Sequence, residues 1–216
     1  MPKNSIATIK QTWKEISDTP VKRVKLYGGT VIIFAIMATL PIFFNKIEKR
    51  HGVVLHDWVL AHIPPHNVSV FIFIIIWGTG LLTLYRALYQ PTIYLLYCWA
   101  LIFVCIARMT SIYLVALDPP VGLIPLSDPL TGIFYGQAVI VKDLFFSGHM
   151  STLMLMPLCL EKRSDKTIGF IGVCIVAVLL LVQHIHYTID VLAAPVVAFT
   201  MYRAARWFMF YGTGQK

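Results

Sequence analysis

The sequence predicts an all-α integral membrane protein, a bundle of six transmembrane helices preceded by an interfacial amphipathic helix. Three observations carry this. Hydrophobic residues make up 58% of the 216 and charged residues only 13%, against about 45–50% and about 25% in soluble domains. The apolar residues fall into long uncharged runs, most of them close to the ~20 residues that cross a bilayer. The charges gather between those runs, so no segment remains for a separate soluble domain.

The elements follow in order. Residues 1–25 form an N-terminal cytoplasmic unit in which Ile6, Ile9, Trp13 and Ile16 recur at helical spacing. Lys3, Lys10 and Lys14 lie elsewhere on the wheel, the pattern of a helix lying in the inner interface. The first long apolar block starts only near Val31 and no small-residue cleavage site follows. The segment is therefore expected to stay attached rather than act as a secretory signal. Residues 26–216 form the membrane domain, with candidate spans at 26–45, 68–86, 92–115, 144–160, 168–187 and 189–210. The fourth is the shortest and opens on the polar Ser147-Gly148-His149. With the N-terminus inside, 13 of the 18 Lys and Arg fall on the inner side, and only Lys46, Lys49, Arg50, Arg108 and Lys142 fall outside. That asymmetry predicts both termini in the cytoplasm. It also accounts for the net charge of +8 without a nucleic-acid partner, since no basic-aromatic patch is present.

Two outer segments stand out. Between Asn45 and Asn67, Val53, Val54, Leu55, Trp58, Val59, Leu60 and Ile63 are expected to seat the chain on the membrane surface until Pro64-Pro65. The same segment holds His51, His56, His62 and His66 with Asp57, but their spacing matches no compact zinc motif. Asp118 to Asp143 is the longest connection and is rich in proline and glycine, Pro129, Gly132 and Gly136 among them; loops of this length are often functional. Cys98, Cys105, Cys159 and Cys174 all lie in apolar stretches and read as small apolar side chains rather than a disulfide or metal framework.

Ionisable residues at span depth are costly in lipid and are default candidates for function. Here they are His149, His184, His186 and Asp190, with Arg108 near the end of the third span. In the topology above, Arg108, His149, His186 and Asp190 all come to the outer boundary. At Ser147-Gly148-His149 a helix begins, and its first N–H groups can face an anion; an ordinary Ser147 cap explains the tripeptide equally well. His186 and Asp190 stand four apart and share a helical face. There a carboxylate fixes one imidazole nitrogen and leaves the other as nucleophile or base, or the pair closes a turn. His184, two residues before His186, points elsewhere on a helix and is left out of the catalytic set.

Together the two motifs are far more specific than either. The runs Lys142-Asp143-Leu144-Phe145-Phe146-Ser147-Gly148-His149 and His186-Tyr187-Thr188-Ile189-Asp190-Val191 resemble the signature motifs of the sphingomyelin synthase-like branch of the type-2 phosphatidic acid phosphatase (PAP2) superfamily. Arg108-Met109-Thr110 followed by Asp118-Pro119-Pro120 resembles that branch's Arg-containing stretch ahead of a proline-rich outer loop. The resemblance covers about residues 100–195. It implies a PAP2-like bundle and transfer of a phospho-headgroup through a phosphohistidine, from a phospholipid donor to a lipid hydroxyl (diacylglycerol or ceramide) or water. His186 would attack phosphorus and Asp190 would orient it. His149 would protonate the leaving alkoxide and then deprotonate the acceptor. Arg108 and Lys142 would clamp phosphate, with Ser147 and Gly148 at the helix start, and Asp143 either orients His149 or caps the fourth span. No cofactor or metal is implied.

This chain lacks the Arg-Pro dipeptide of the ordinary lipid phosphatases and carries Leu180 where they have Arg before the second motif histidine. That favours the synthase-like branch. The animal synthases' Cys-Gly is Val141-Lys142 here, and the usual Thr is Met150. A lipid phosphate phosphatase is the alternative reading, and a small transporter or membrane scaffold with an ion-binding His/Asp set is a second. Transporters of that kind often carry inverted repeats, and none is visible here.

Overall fold

Apolar helices dominate the computed structural model, which describes residues 6–126 and 140–210. Pro129, Gly132 and Gly136 of the long outer segment, with Lys3 and Lys216, lie outside the described residues. The N-terminal unit is a short helix, α1 (Ile6–Glu15), and one turn, α2 (Pro20–Arg23), running through a π-turn (Val24–Gly28) into α3 (Gly29–Glu48). Four further helices follow: α4 (Ser69–Tyr89), α5 (Pro91–Leu114), α6 (Gly148–Cys159) and α7 (Arg163–Val182). The last is α8 (Thr188–Phe210). Five helical stretches are long and apolar enough to cross a membrane, namely Pro20–Glu48, α4, α5, α7 and α8.

The fourth candidate span differs from its reading as 144–160. Its helix, α6, has only 12 residues, about 18 Å at 1.5 Å per residue, against a hydrocarbon core of about 30 Å. The residues before it are not helical, although Leu144, Phe145 and Phe146 are as apolar as a span. Ser147 starts the helix by accepting a hydrogen bond from the Met150 amide at 3.4 Å, the usual role of an N-cap serine. Shortness is tolerated because α6 is the most enclosed helix. It touches α4, α5, α7 and α8, and Met150, Ser151, Leu153, Leu155, Met156, Pro157 and Cys159 are all buried.

Small residues allow this packing. A Cβ on Gly169 of α7 would lie 2.8 Å from the Pro157 Cβ of α6, and one on Gly172 would lie 3.0 Å from Ile75 of α4. These glycines therefore serve contacts within one chain. The α4–α5 link is Gln90 alone, followed by Pro91 at the first helical position, where its missing N–H costs nothing. At the same end, Gln90 Nε2 donates to Glu161 at 2.8 Å.

The N-terminal unit is tied to the bundle by polar groups. The Trp13 indole N–H donates to the Leu88 carbonyl at 3.0 Å, and Lys25 Nζ donates to the Phe208 and Met209 carbonyls at the end of α8, at 2.9 and 3.0 Å. No residue of α1 is buried. Cys98 and Cys159 are buried, Cys105 is half-buried and Cys174 exposed, all as free thiols.

The fifth candidate span, read as 168–187, ends its helix at Val182. Two side chains of the following turn take up the freed backbone. The Gln183 side chain accepts from the Val68 amide at 3.1 Å and donates to Ser69 Oγ at 2.6 Å. His184, at φ 55°, places Nδ1 3.0 Å from the Val121 carbonyl and Nε2 2.8 Å from that of Ile63. It braces two loops, and it lies past the end of the helix rather than on a helical face.

Gly169→Leu is expected to overpack the α6–α7 contact and to lower stability by about 1–3 kcal/mol, read as a drop in the thermal unfolding midpoint in detergent. Gly78→Ala, where a Cβ meets nothing within 4 Å, should leave the midpoint unchanged or raise it.

Candidate active site

The two histidine motifs meet because their helices begin side by side. The Ser147 amide donates to the Asp190 carbonyl at 3.2 Å, which fixes the start of α6 against the start of α8. The ring centroids of His149 and His186 then lie 6.4 Å apart, and Phe73 of α4 meets the His149 ring edge-on at 6.1 Å. His186 is 1% exposed and Asp190 is fully buried.

His186 and Asp190 do pair, but not on one helical face. α8 starts only at Thr188, so His186 lies ahead of it. Asp190 is the third residue of the helix and turns back, accepting from the Tyr187 amide at 3.0 Å, half of a capping box. The same oxygen, Oδ2, is 3.6 Å from His186 Nδ1. This is a close electrostatic approach rather than a formed hydrogen bond. One carboxylate thus ends the helix and faces the imidazole.

Arg108, on α5, reaches across to the start of α6. Its Nε donates to the Phe146 carbonyl at 3.1 Å, and its guanidinium pairs with Asp143 and fills the space where a side chain on Gly148 would sit. One turn on, Ser111 Oγ donates to the Phe145 carbonyl at 2.8 Å. Ser111 carried no motif signal, and only its place three residues after Arg108 could have drawn attention to it. The cap of α6 is Ser147, not Asp143, whose described partner is Arg108.

Lys142 is engaged too. Its ammonium lies 2.7 Å from Asp118 Oδ1 and donates to the Arg50 carbonyl at 2.5 Å, while its amide and that of Val141 donate to Glu48 Oε1. Asp118 also accepts from the Gly52 amide at 3.2 Å. The Lys142 hydrogen bond is the main cause that holds the Asp118 carboxyl below its ordinary range, against the opposing effect of burial.

The outer segment between α3 and α4 contributes more than surface seating. Val53, Val54 and Trp58 are exposed, but Leu60 is buried with Leu117, Leu144 and Tyr187 in one apolar cluster. Asp57, noted in the sequence only for its histidine neighbours, caps α8 from outside it. It accepts from the Thr188 amide at 2.6 Å and the Thr188 hydroxyl at 3.0 Å, and from the Val59 and Leu60 amides. Burial works against its ionised form, but these bonds outweigh it and hold its carboxyl below 3.8. Tyr187 completes the join, its hydroxyl donating to the Asp118 carbonyl at 2.8 Å and accepting from the Leu55 amide at 3.1 Å. Among the described residues, no three His, Cys, Asp or Glu side chains gather closely enough to hold a metal ion.

A helical bundle with five membrane-length apolar helices marks a multi-pass membrane protein. Residues 142–208 match the family model described as PAP2 superfamily C-terminal, a stretch that runs from Lys142 to near the end of α8 and contains both histidine motifs. The match covers about a third of the chain and points, for that stretch, to the PAP2 superfamily, whose members are phosphatases and phosphotransferases. No curated protein matches the chain.

Because the Asp57 carboxyl is held below its unfolded value, it contributes stability that is complete above about pH 4 and lost as pH falls through the lowered folded value. Asp57→Asn, which keeps one acceptor oxygen and loses the charge, is therefore expected to lower the unfolding midpoint at pH 7. The gap to the parent should close as the pH is taken below 3.8, measured by thermal unfolding across pH 7 to 3.

Proposed function

We propose that the protein is a membrane lipid phosphotransferase of the sphingomyelin synthase-like kind, moving a phospho-headgroup through a phosphohistidine. The observation that carries this reading is the 6.4 Å spacing of the His149 and His186 rings, with Asp190 on one side of His186 and the Arg108 guanidinium against Gly148 on the other motif. Two imidazoles at that spacing can bracket one phosphate, each on its own side.

In the first half-reaction His186 attacks phosphorus through the nitrogen not facing Asp190. The bond from phosphorus to the leaving oxygen breaks, and His149 delivers a proton to that oxygen. In the second, His149 takes a proton from the acceptor hydroxyl, whose oxygen displaces His186 from phosphorus. Asp190 offsets the charge that develops on His186. Arg108 and the first amides of α6 meet the phosphate oxygens, while Lys142 reaches them only by leaving Asp118. Diacylglycerol or ceramide as acceptor makes the enzyme a synthase, and water makes it a phosphatase.

The architecture completes the proposal. Residues 1–25 lie along the inner interface, and 26–216 make six crossings, the short α6 being carried by its neighbours and by the non-helical chain ahead of it. Both termini are cytoplasmic and the histidines face the outer side.

The test is turnover by purified protein with phosphatidate and phosphatidylcholine donors, with and without diacylglycerol or ceramide. Acceptor-dependent headgroup transfer is expected, insensitive to chelators. His186→Ala should abolish it, and activity that persists in that variant would defeat the mechanism. Phosphate release without an acceptor would mark the phosphatase. Gly148→Ala pushes a methyl group into the Arg108 guanidinium and should lower kcat by about 100-fold, the usual cost of displacing a positioning group by about 1 Å.

A further inference from the structure

A second site lies at the same end of the bundle. The last turn of α3 and the end of α5 enclose a cavity of about 330 Å³ lined by Phe43, Lys46, Ile47, Lys49, Arg50 and Tyr113, within the range of small-molecule sites. Three of these residues are cations and three supply apolar or aromatic wall.

Cations at the end of a helix are ordinarily explained by its negative pole, and Arg50 has such a task. Its guanidinium donates to the Ile112 and Tyr113 carbonyls at 2.6 Å each, closing α5. Lys46 and Lys49 have none: among the described residues neither has a carboxylate or carbonyl partner. Glu48, between them in sequence, is spent on the Val141 and Lys142 amides. The cavity thus has an almost wholly apolar wall, with two exposed lysines that have no described carboxylate partner among the residues at its edge. Its surroundings are apolar and exposed, with Ile42 at 75%, Tyr113 at 61% and Leu114 at 73%, the surface a bilayer covers.

We propose that this cavity holds the phosphate of an anionic membrane phospholipid. Lys46 and Lys49 supply the charge, and Phe43, Ile47 and Tyr113 take the glycerol and the first methylenes of the acyl chains. A zwitterionic lipid brings a choline cation to the same lysines and binds less well. The site is separate from the histidine pair but joined to it, because the Arg50 carbonyl accepts the Lys142 ammonium at 2.5 Å.

The test uses full-length His186→Ala protein in detergent micelles, so that no turnover confuses binding and failure of the catalytic proposal leaves the result readable. Retention of labelled phosphatidylglycerol and phosphatidylcholine is measured by native mass spectrometry. Phosphatidylglycerol should be preferred by roughly tenfold, from the attraction of two lysines near a membrane surface. Lys46→Gln with Lys49→Gln should remove the preference, and Lys46→Arg with Lys49→Arg should keep it. Equal retention of the two lipids, or a preference that survives the glutamine pair, would overturn the proposal. So would displacement of the lipid by millimolar glycerol 3-phosphate or inorganic phosphate, which would show a phosphate site rather than a lipid site.

Discussion

Residues 140–146 enter the bundle without forming a helix, and in apolar surroundings their backbone polar groups must find partners inside the protein. Much of the site follows from that constraint. Glu48 takes the amides of Val141 and Lys142, Ser111 and Arg108 take the carbonyls of Phe145 and Phe146, and the Asp190 carbonyl takes the Ser147 amide. The partners come from three separate places in the chain: α3, α5 and α8. The segment is therefore a seam that sews three helices together, and His149 stands at its end. Gly148 is dictated by the same seam, since the guanidinium that holds Phe146 leaves no room for a side chain there.

Charge is distributed with similar economy. Arg108 with Asp143 and Lys142 with Asp118 are partly buried pairs, in which a lone member would be costly. Each pair also carries hydrogen bonds to the main chain, so removing one partner disturbs backbone as well as charge. Asp57 does the equivalent for α8 without a cation, using only N–H and O–H donors. The result is an anchored frame around two histidines, one on the first turn of α6 and the other just ahead of α8.

Much of this was legible in the sequence. The apolar runs located five long helices, and of the ionisable residues that interrupt them Arg108, His149, His186 and Asp190 lie near one another while His184 does not. What could not be read depends on tertiary partners. Leu144-Phe145-Phe146 has the hydropathy of a span, but its backbone carbonyls are taken by Arg108 and Ser111 and it bends instead of forming a helix. The break after Val182 is invisible in an apolar run because Gln183 earns its place through Ser69, Val68 and the 124–125 backbone, far away in sequence. The spacing of His186 and Asp190 suggested one helical face; the same proximity arises instead from a carboxylate folding back over a helix start that has Tyr187, an unusual cap, and relies on Asp57 for completion.

The shortness of α6 sets a depth. Its far end is level with the α4–α5 link, where Gln90 meets Glu161, so a helix of about 18 Å in a bundle built for about 30 Å leaves its start roughly 12 Å below the opposite rim. Arg108 gives an independent ruler: it stands six residues before the end of α5, or about 9 Å down. His149 therefore starts its helix below the level at which α5 ends, and His186 beside it is only 1% exposed. Any group that reaches a side chain so little exposed leaves most of its water behind.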